Sequence, residues 1–283
     1  MMLNSTSFPA IRQQYGDTIY YIPYQYGTLI GPEKNWDEEW AYHFFKNNWS
    51  HSIWIAVLYS VAVHLGEKAM ADRKPFNLKV PLIIWNAALA IFSLAGTIRM
   101  AEEFFYVLGN FPLLDSISYA VDPREPAAFW AGLFAASKLF ELADTAFVVA
   151  RKKSLIFLHW YHHAVVLVYV WHSATELVAG GRWFITMNYG VHALMYAYYA
   201  LAAAGFRLPR RLSMVITTLQ TTQMLIGVAI TFAVLHYKLQ GRIMQQSYEN
   251  LLLCFAIYSS FAVLFMNFFH KSYLKKREKA KTA

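Results

Sequence analysis

The sequence predicts an all-α integral membrane protein with seven transmembrane helices. Three observations carry that prediction. Hydrophobic residues make up 57% of the 283-residue chain and charged residues only 15%, against ~45–50% and ~25% in ordinary soluble domains. Several apolar runs reach the ~20 residues needed to cross a bilayer. The basic residues fall between those runs on alternate loops. The net charge of +8 is therefore a signature of membrane topology, and no nucleic-acid surface is expected. Cys254 is the only cysteine, which excludes an intrachain disulfide and a cysteine-based metal site.

Residues 1–49 form a polar, aromatic N-terminal segment in which Pro9, Pro23, Gly27, Gly31 and Pro32 break any long helix. Asn4-Ser5-Thr6 fits the N-glycosylation pattern and makes Asn4 the candidate acceptor. Asn48-Trp49-Ser50 fits it too, but too close to the membrane. No basic stretch followed by an apolar core precedes the first span, so no cleaved signal peptide is expected. The membrane domain covers residues 50–270, with spans at about 50–68, 80–101, 127–150, 154–174, 183–205, 212–236 and 248–270. Lys68, Arg73, Lys74 and Lys79, then Arg151, Lys152 and Lys153, then Arg207, Arg210 and Arg211, all fall on one side. The basic tail of residues 271–283 falls there too. The opposite side holds fewer, among them Arg124, Arg182, Lys238 and Arg242, and an acidic loop at 102–126. The positive-inside rule then sets the N-terminus in the lumen and the C-terminus in the cytosol. Lys279 and Lys281 near the C-terminus resemble a dilysine retrieval signal of endoplasmic-reticulum membrane proteins, and the tail as a whole suits anionic lipid.

The fourth span carries His159, His162 and His163, three imidazoles on one helix face. Polar groups inside a membrane are costly and mark functional sites by default. The third span carries Lys138, Glu141, Asp144 and Thr145, with Lys138, Glu141 and Thr145 sharing a face. The fifth carries Asn188, His192, Met195, Tyr196 and Tyr199. The sixth carries Thr217, Gln220 and Gln223. Four helices thus place polar groups at overlapping depths, roughly 9–20 Å from the basic loops at ~1.5 Å per residue. That pattern predicts a chamber between helices. Structural alternatives stay open: a buried ion pair for Lys138 with Glu141, interfacial belt tyrosines for Tyr196 and Tyr199, and interhelical amides for Gln220 and Gln223.

Four motifs in order give the chain a family likeness. KxxExxDT occurs at Lys138, Glu141, Asp144 and Thr145, and HxxHH at His159, His162 and His163. HxxMYxYY occurs at His192, Met195, Tyr196, Tyr198 and Tyr199, and TxxQxxQ at Thr217, Gln220 and Gln223. From about residue 40 onward the chain resembles the fatty-acid elongases of the endoplasmic reticulum. The stretches LIFLHWYHH and RWFITMNYGVHALMYAYYAL resemble the sixth-type animal elongases and related nematode enzymes in particular. The resemblance implies a multi-pass enzyme of the endoplasmic reticulum with an acyl-chain tunnel inside its helices. Its substrates would be malonyl-CoA and a saturated or methyl-branched acyl-CoA of roughly palmitate length. The product would be a 3-ketoacyl-CoA two carbons longer, with loss of CO₂ and CoA and no cofactor. Partners implied are membrane lipids and the ketoreductase, dehydratase and enoyl reductase of the elongation cycle; a homodimer is compatible. Relatives often carry a lumenal cysteine pair, which this chain lacks.

By the same resemblance His162 is the nucleophile. His159, His163 and His192 position substrate, handle protons or stabilise the enolate left by decarboxylation. Asp144 or Glu141 orients an imidazole, Lys138 neutralises those acids or polarises a carbonyl, and Asn188 reaches the chamber. Arg151, Lys152, Lys153, Arg207, Arg210 and Arg211 clamp the CoA phosphates, or serve topology alone. Rival classes are a membrane di-iron desaturase or hydroxylase, which also uses HxxHH, a seven-helix receptor, and an inactive scaffold. The remaining histidines are too scattered for the first. The third span lacks an acidic-Arg-aromatic ending and the seventh lacks Asn-Pro-x-x-Tyr, as a receptor reading would require. Every motif residue is present, which argues against the scaffold.

Overall fold

The structure, a computed structural model, describes residues 9–274 apart from Tyr15. Asn4, Lys279 and Lys281 lie outside the described residues. Helices occupy all seven expected stretches: α2 His51–Ala69, α3 Lys79–Asn110, α5 Pro126–Ala150, α6 Phe157–Ala174, α7 Gly181–Ala204, α8 Arg210–Leu239 and α9 Tyr248–Phe269. Three segments are long and apolar enough to cross a membrane by length and composition: Lys79–Asn110, Arg210–Leu239 and Tyr248–Leu274. The molecule is thus an α-helical membrane protein with one departure at its start. Strands β1 (Ala10–Gln14) and β2 (Asp17–Tyr21) pair as an antiparallel hairpin, Ala10 opposite Tyr21 and Gln14 opposite Asp17. The period-2 alternation buries Ile19 and Tyr21.

The N-terminal segment holds a helix that its prolines and glycines obscured. Helix α1 spans Glu38–Asn48, starting beyond the last of those breakers. Asp37 caps it, its carboxylate accepting from Trp40 N at 2.8 Å. Its buried face is Ala41, Tyr42 and Phe45. A short helix α4, Asp115–Ser118, lies between α3 and α5.

The long helices close into a ring. Packing runs α3–α7–α8–α9–α6–α5 and back to α3, with α2 outside against α5 and α6. The α3–α7 seam is the most extensive. Gly96 on α3 permits it, because a Cβ there would sit 2.6 Å from the Tyr189 ring. The same seam carries a buried ion pair. Arg182 Nε donates to both Glu103 oxygens at 2.9 Å, and Nη2 to Oε1 at 2.7 Å. Its remaining hydrogens reach the carbonyls of Ser116, Tyr119 and Ala120 at 2.8–3.0 Å. A second lock joins Arg99 to Glu33 at 2.7 Å, with Trp130 Nε1 donating to the same carboxylate.

These locks correct two expectations. Helix α3 continues to Asn110, so Glu102 and Glu103 are helical and not part of an acidic loop. Arg182 is fully buried and pairs with Glu103, so it is not an exposed loop charge. At α6 the helix starts at Phe157 instead of residue 154, because α5 ends in a tight turn with Lys152 at φ 50°.

Candidate active site

Helix α6 brings the three histidines into one face inside the ring. The His159 and His163 rings are 4.7 Å apart, and His162 and His163 are 5.6 Å apart. Phe261 of α9 backs His162 at 4.8 Å. His159 Nε2 and His162 Nδ1 are buried without a hydrogen-bond partner. A buried imidazole nitrogen with nothing to bond is costly, so these two nitrogens mark a site that a ligand would complete.

Helix α5 supplies charge beside them. Lys138 Nζ donates to Glu141 Oε1 at 2.7 Å, and Ser137 Oγ donates to the same oxygen at 3.0 Å. Helix α7 meets this pair: Asn188 Oδ1 accepts from Lys138 at 3.3 Å, and Asn188 Nδ2 lies 3.3 Å from His192 Nε2. His192 Nδ1 is 3.9 Å from Glu141 Oε2. Lys138, Glu141, Asn188 and His192 thus form one connected buried group. Asp144 lines the same chamber but makes its hydrogen bonds to other side chains. It accepts from Trp85 Nε1 at 2.6 Å and Tyr196 OH at 2.7 Å. Of the two carboxylates expected to orient an imidazole, Glu141 is the one within 4 Å of a histidine nitrogen. Thr145 bonds Tyr59 OH of α2 at 2.5 Å and serves packing.

Two cavities meet here. The more polar one is lined by all four histidines, Asn188, Asp144, Tyr196, Tyr199, Gln220, Gln223, Arg151 and Lys153. The other is mainly apolar and runs along α6 between α5 and α7 to α1. His162, Asn188, Gln223 and Met224 line both. The junction of the two cavities is therefore at His162.

Several expected residues lie elsewhere. Thr217 bonds Tyr273 OH at 3.2 Å and lines neither cavity. Lys152 is turned away, donating to the carbonyls of Ala71 and Arg73 at 2.7 and 3.0 Å, where it holds the α2–α3 loop. Arg210 donates to Ser272 O at 2.8 Å and stacks on Tyr273. Arg207 and Arg211 are exposed and line neither cavity. Of the six basic residues, Arg151 and Lys153 alone reach the chamber. Among the described residues no group of three or more His, Cys, Asp or Glu is arranged to hold a metal ion. The apolar cavity's lining from α1 had no sequence signal beyond aromatic content.

The helical ring thus encloses a histidine-lined chamber that meets a mainly apolar cavity, the architecture of a membrane protein with an internal binding site. The comparisons narrow the class. The model of the ELO family, described as GNS1/SUR4 family, matches residues 44–281, and the chain belongs to that family. The chain is 46% identical over 257 residues to "Putative fatty acid elongase 3" of Caenorhabditis elegans, covering 90% of this chain and 80% of the relative. It is 42% identical over 252 residues to "Very long chain fatty acid elongase 6" of Gallus gallus, covering 88% and 94%. The same-named protein of Homo sapiens is 41% identical over 252 residues, covering 89% and 95%.

Proposed function

We propose that the chain is a 3-ketoacyl-CoA synthase, the condensing enzyme of fatty-acid elongation. The relatives named fatty acid elongases support the pathway. The observation that carries the chemistry is the meeting of a polar and an apolar cavity at His162, beside an unpartnered imidazole nitrogen. The substrates in this reading are malonyl-CoA and a saturated or methyl-branched acyl-CoA of roughly palmitate length. No cofactor takes part. The reading places seven spans in the endoplasmic-reticulum membrane, residues 1–49 in the lumen with Asn4 glycosylated, and residues 271–283 in the cytosol. Its product passes to the ketoreductase of the cycle.

The reaction proceeds in two halves. A neutral nitrogen of His162 attacks the thioester carbonyl of acyl-CoA. The C–S bond breaks, an acyl-imidazole forms, and CoA leaves with the imidazole proton. The acyl chain occupies the apolar cavity, while Arg151 and Lys153 hold CoA phosphates at the chamber's mouth. Malonyl-CoA then loses CO₂, and its electrons stay on the α-carbon as an enolate. In this reading Asn188 Nδ2, His159 and His192 donate to that oxygen. The α-carbon attacks the acyl carbonyl, the C–N bond breaks with its electrons staying on the imidazole nitrogen, and His162 regains its neutral form by taking up one proton from water. Glu141 and Lys138 fix the orientation and charge around His192.

The test uses purified protein and palmitoyl-CoA without malonyl-CoA. One CoA released per chain, with an acyl mass mapping to His162, is expected. No adduct but 3-keto product after malonyl-CoA addition would replace the two-step route with direct condensation. Neither adduct nor product across several chain lengths, with iron in the purified protein, would turn the assignment to the di-iron class.

A further inference from the structure

The apolar cavity has a definite far end. It runs along α6 from His162 to Ala174, twelve residues or roughly 18 Å at ~1.5 Å per residue. That depth is close to half of the ~30 Å hydrocarbon core, the span of one ordinary membrane acyl chain. At the end opposite His162 the wall is Trp36, Glu38, Ala41, Tyr42 and Phe45. Most of that wall precedes residues 44–281, the part matched by the family model.

The wall is held by the hairpin. Asp17, at the start of β2, accepts from Lys46 Nζ at 2.5 Å and from Tyr42 OH, both on α1. Arg12 of β1 pairs with Glu38 at 3.0 Å. The hairpin in turn is stitched to the helical body. Ala120 N donates to Tyr20 O at 2.9 Å, Ile22 N to Ala120 O at 3.0 Å, and Tyr20 N to Gln245 Oε1 at 3.1 Å. Trp36 is fixed independently: its Nε1 donates to Pro123 O at 2.9 Å, and its ring sits so close to Gly132 that a Cβ there would lie 3.1 Å away. Aromatic rings thus face the cavity, and a paired carboxylate stands at its margin. A longer chain would have to push past the rings and desolvate the Arg12–Glu38 pair, which opposes entry.

We infer that α1, clasped by the β1–β2 hairpin, is the end wall of the acyl cavity. Trp36 and Tyr42 set the longest chain accepted, and Asp17 acts on that limit as a positioning residue. The length-setting part rests on the condensing-enzyme reading above; the wall itself does not.

The experiment has two arms on the full-length protein. In the first, a palmitoyl-CoA analogue with a photoreactive group at its terminal carbon is crosslinked, and the labelled peptide is sequenced. Label on residues 36–45 is expected; label confined to other segments overturns the wall. In the second, product lengths are measured with malonyl-CoA for Trp36→Ala, Asp17→Asn and Asp17→Glu. Trp36→Ala is expected to extend the longest product by at least one two-carbon step. Asp17→Asn is expected to shift the distribution the same way, more weakly, with Asp17→Glu restoring it. An unchanged longest product in both Trp36→Ala and Asp17→Asn overturns the length-setting role. Trp36→Phe replaces Trp36→Ala if the latter does not fold, and its smaller ring should give a partial extension. Crosslinking needs no condensation. Label on α1 without product from the unaltered chain would therefore reject the enzyme reading and keep the wall, whereas product without that label would do the reverse.

Discussion

Arg182 and Lys138 are both buried cations beside a glutamate on a neighbouring turn or helix, yet their surroundings differ in kind. Arg182 has its hydrogens matched, by Glu103 and three backbone carbonyls. A guanidinium stays protonated under any condition a protein meets, so the pair can only be a fixture. Lys138 touches Glu141 and, at longer range, Asn188, and behind them stands His192. Two imidazole nitrogens of the same chamber, His159 Nε2 and His162 Nδ1, are unmatched. The contrast separates a lock from a site: one region has saturated its polar groups, the other has kept capacity for a substrate.

The largest expected effect tests that spare capacity. His162→Ala should abolish the acyl adduct and lower condensation at least ~10³-fold, since removing a nucleophile disables the whole relay. Thermal unfolding in detergent should change little, because the ring makes few polar contacts to lose. Undiminished adduct formation in this variant would remove His162 from its role.

A paired neutralisation sharpens the comparison directly. Glu103→Gln leaves Arg182 charged and buried without its counter-ion, and breaking such a pair costs about 3–5 kcal/mol. Glu141→Gln also removes a counter-ion, but the Lys138 ammonium sits on a flexible stem and can turn to Asn188 Oδ1, whereas the planar guanidinium of Arg182 is held by its fork geometry. The first variant should therefore unfold at clearly lower temperature, with folded molecules retaining activity. With Asn188 Oδ1 still in reach of Lys138, the second should keep stability better and lose turnover ~10²-fold, the scale of removing one charge-stabilising group. Equal stability losses would mean that both pairs are locks.

Why the sequence revealed one pair and hid the other follows from spacing. Lys138 and Glu141 are one helical turn apart, and His159, His162 and His163 share a face by simple periodicity. Local spacing is readable without a fold. Glu103 and Arg182 lie 79 positions apart, and only the packing of α3 on α7 brings them together. The other lock left one local sign, Arg99, an ionisable residue inside the span expected at about 80–101, which demands a partner. The partner proved to be Glu33, in the N-terminal segment where breakers suggested irregular chain. The apolar cavity was hidden for a different reason: its lining is ordinary hydrophobic sequence, and only its shape is distinctive. The basic residues suggested a topology, but sequence could not say which of them turn inward.

That last point gives a smaller prediction within one turn of chain. Arg151 and Lys153 line the chamber, whereas Lys152 between them ties the α2–α3 loop. Arg151→Gln and Lys153→Gln should each raise KM for acyl-CoA several-fold with kcat nearly constant, as expected for lost phosphate contacts at an exposed mouth. Lys152→Gln should leave KM unchanged. A KM increase shared equally by all three would point to general surface charge.

The smallest effect belongs to the hairpin clasp. Asp17 is held below its ordinary carboxylate value of 3.8, first by the hydrogen bond from Lys46 and then by that from Tyr42. A lowered folded-state value means that the charged clasp stabilises the fold at pH values above the ordinary one. That contribution fades as pH falls below 3.8 through the lowered value. Nearly half of the Asp17 side chain is exposed, so solvent screens the pair and the effect is modest. Unfolding temperatures of the unaltered chain and of Asp17→Asn, compared from pH 6 downward, should differ by a small constant amount. The two curves should converge only below about pH 4. Convergence already near neutral pH would assign the clasp to Tyr42 packing and not to the carboxylate. A gap that persists into strong acid would mean that Asn cannot replace even the neutral acid there.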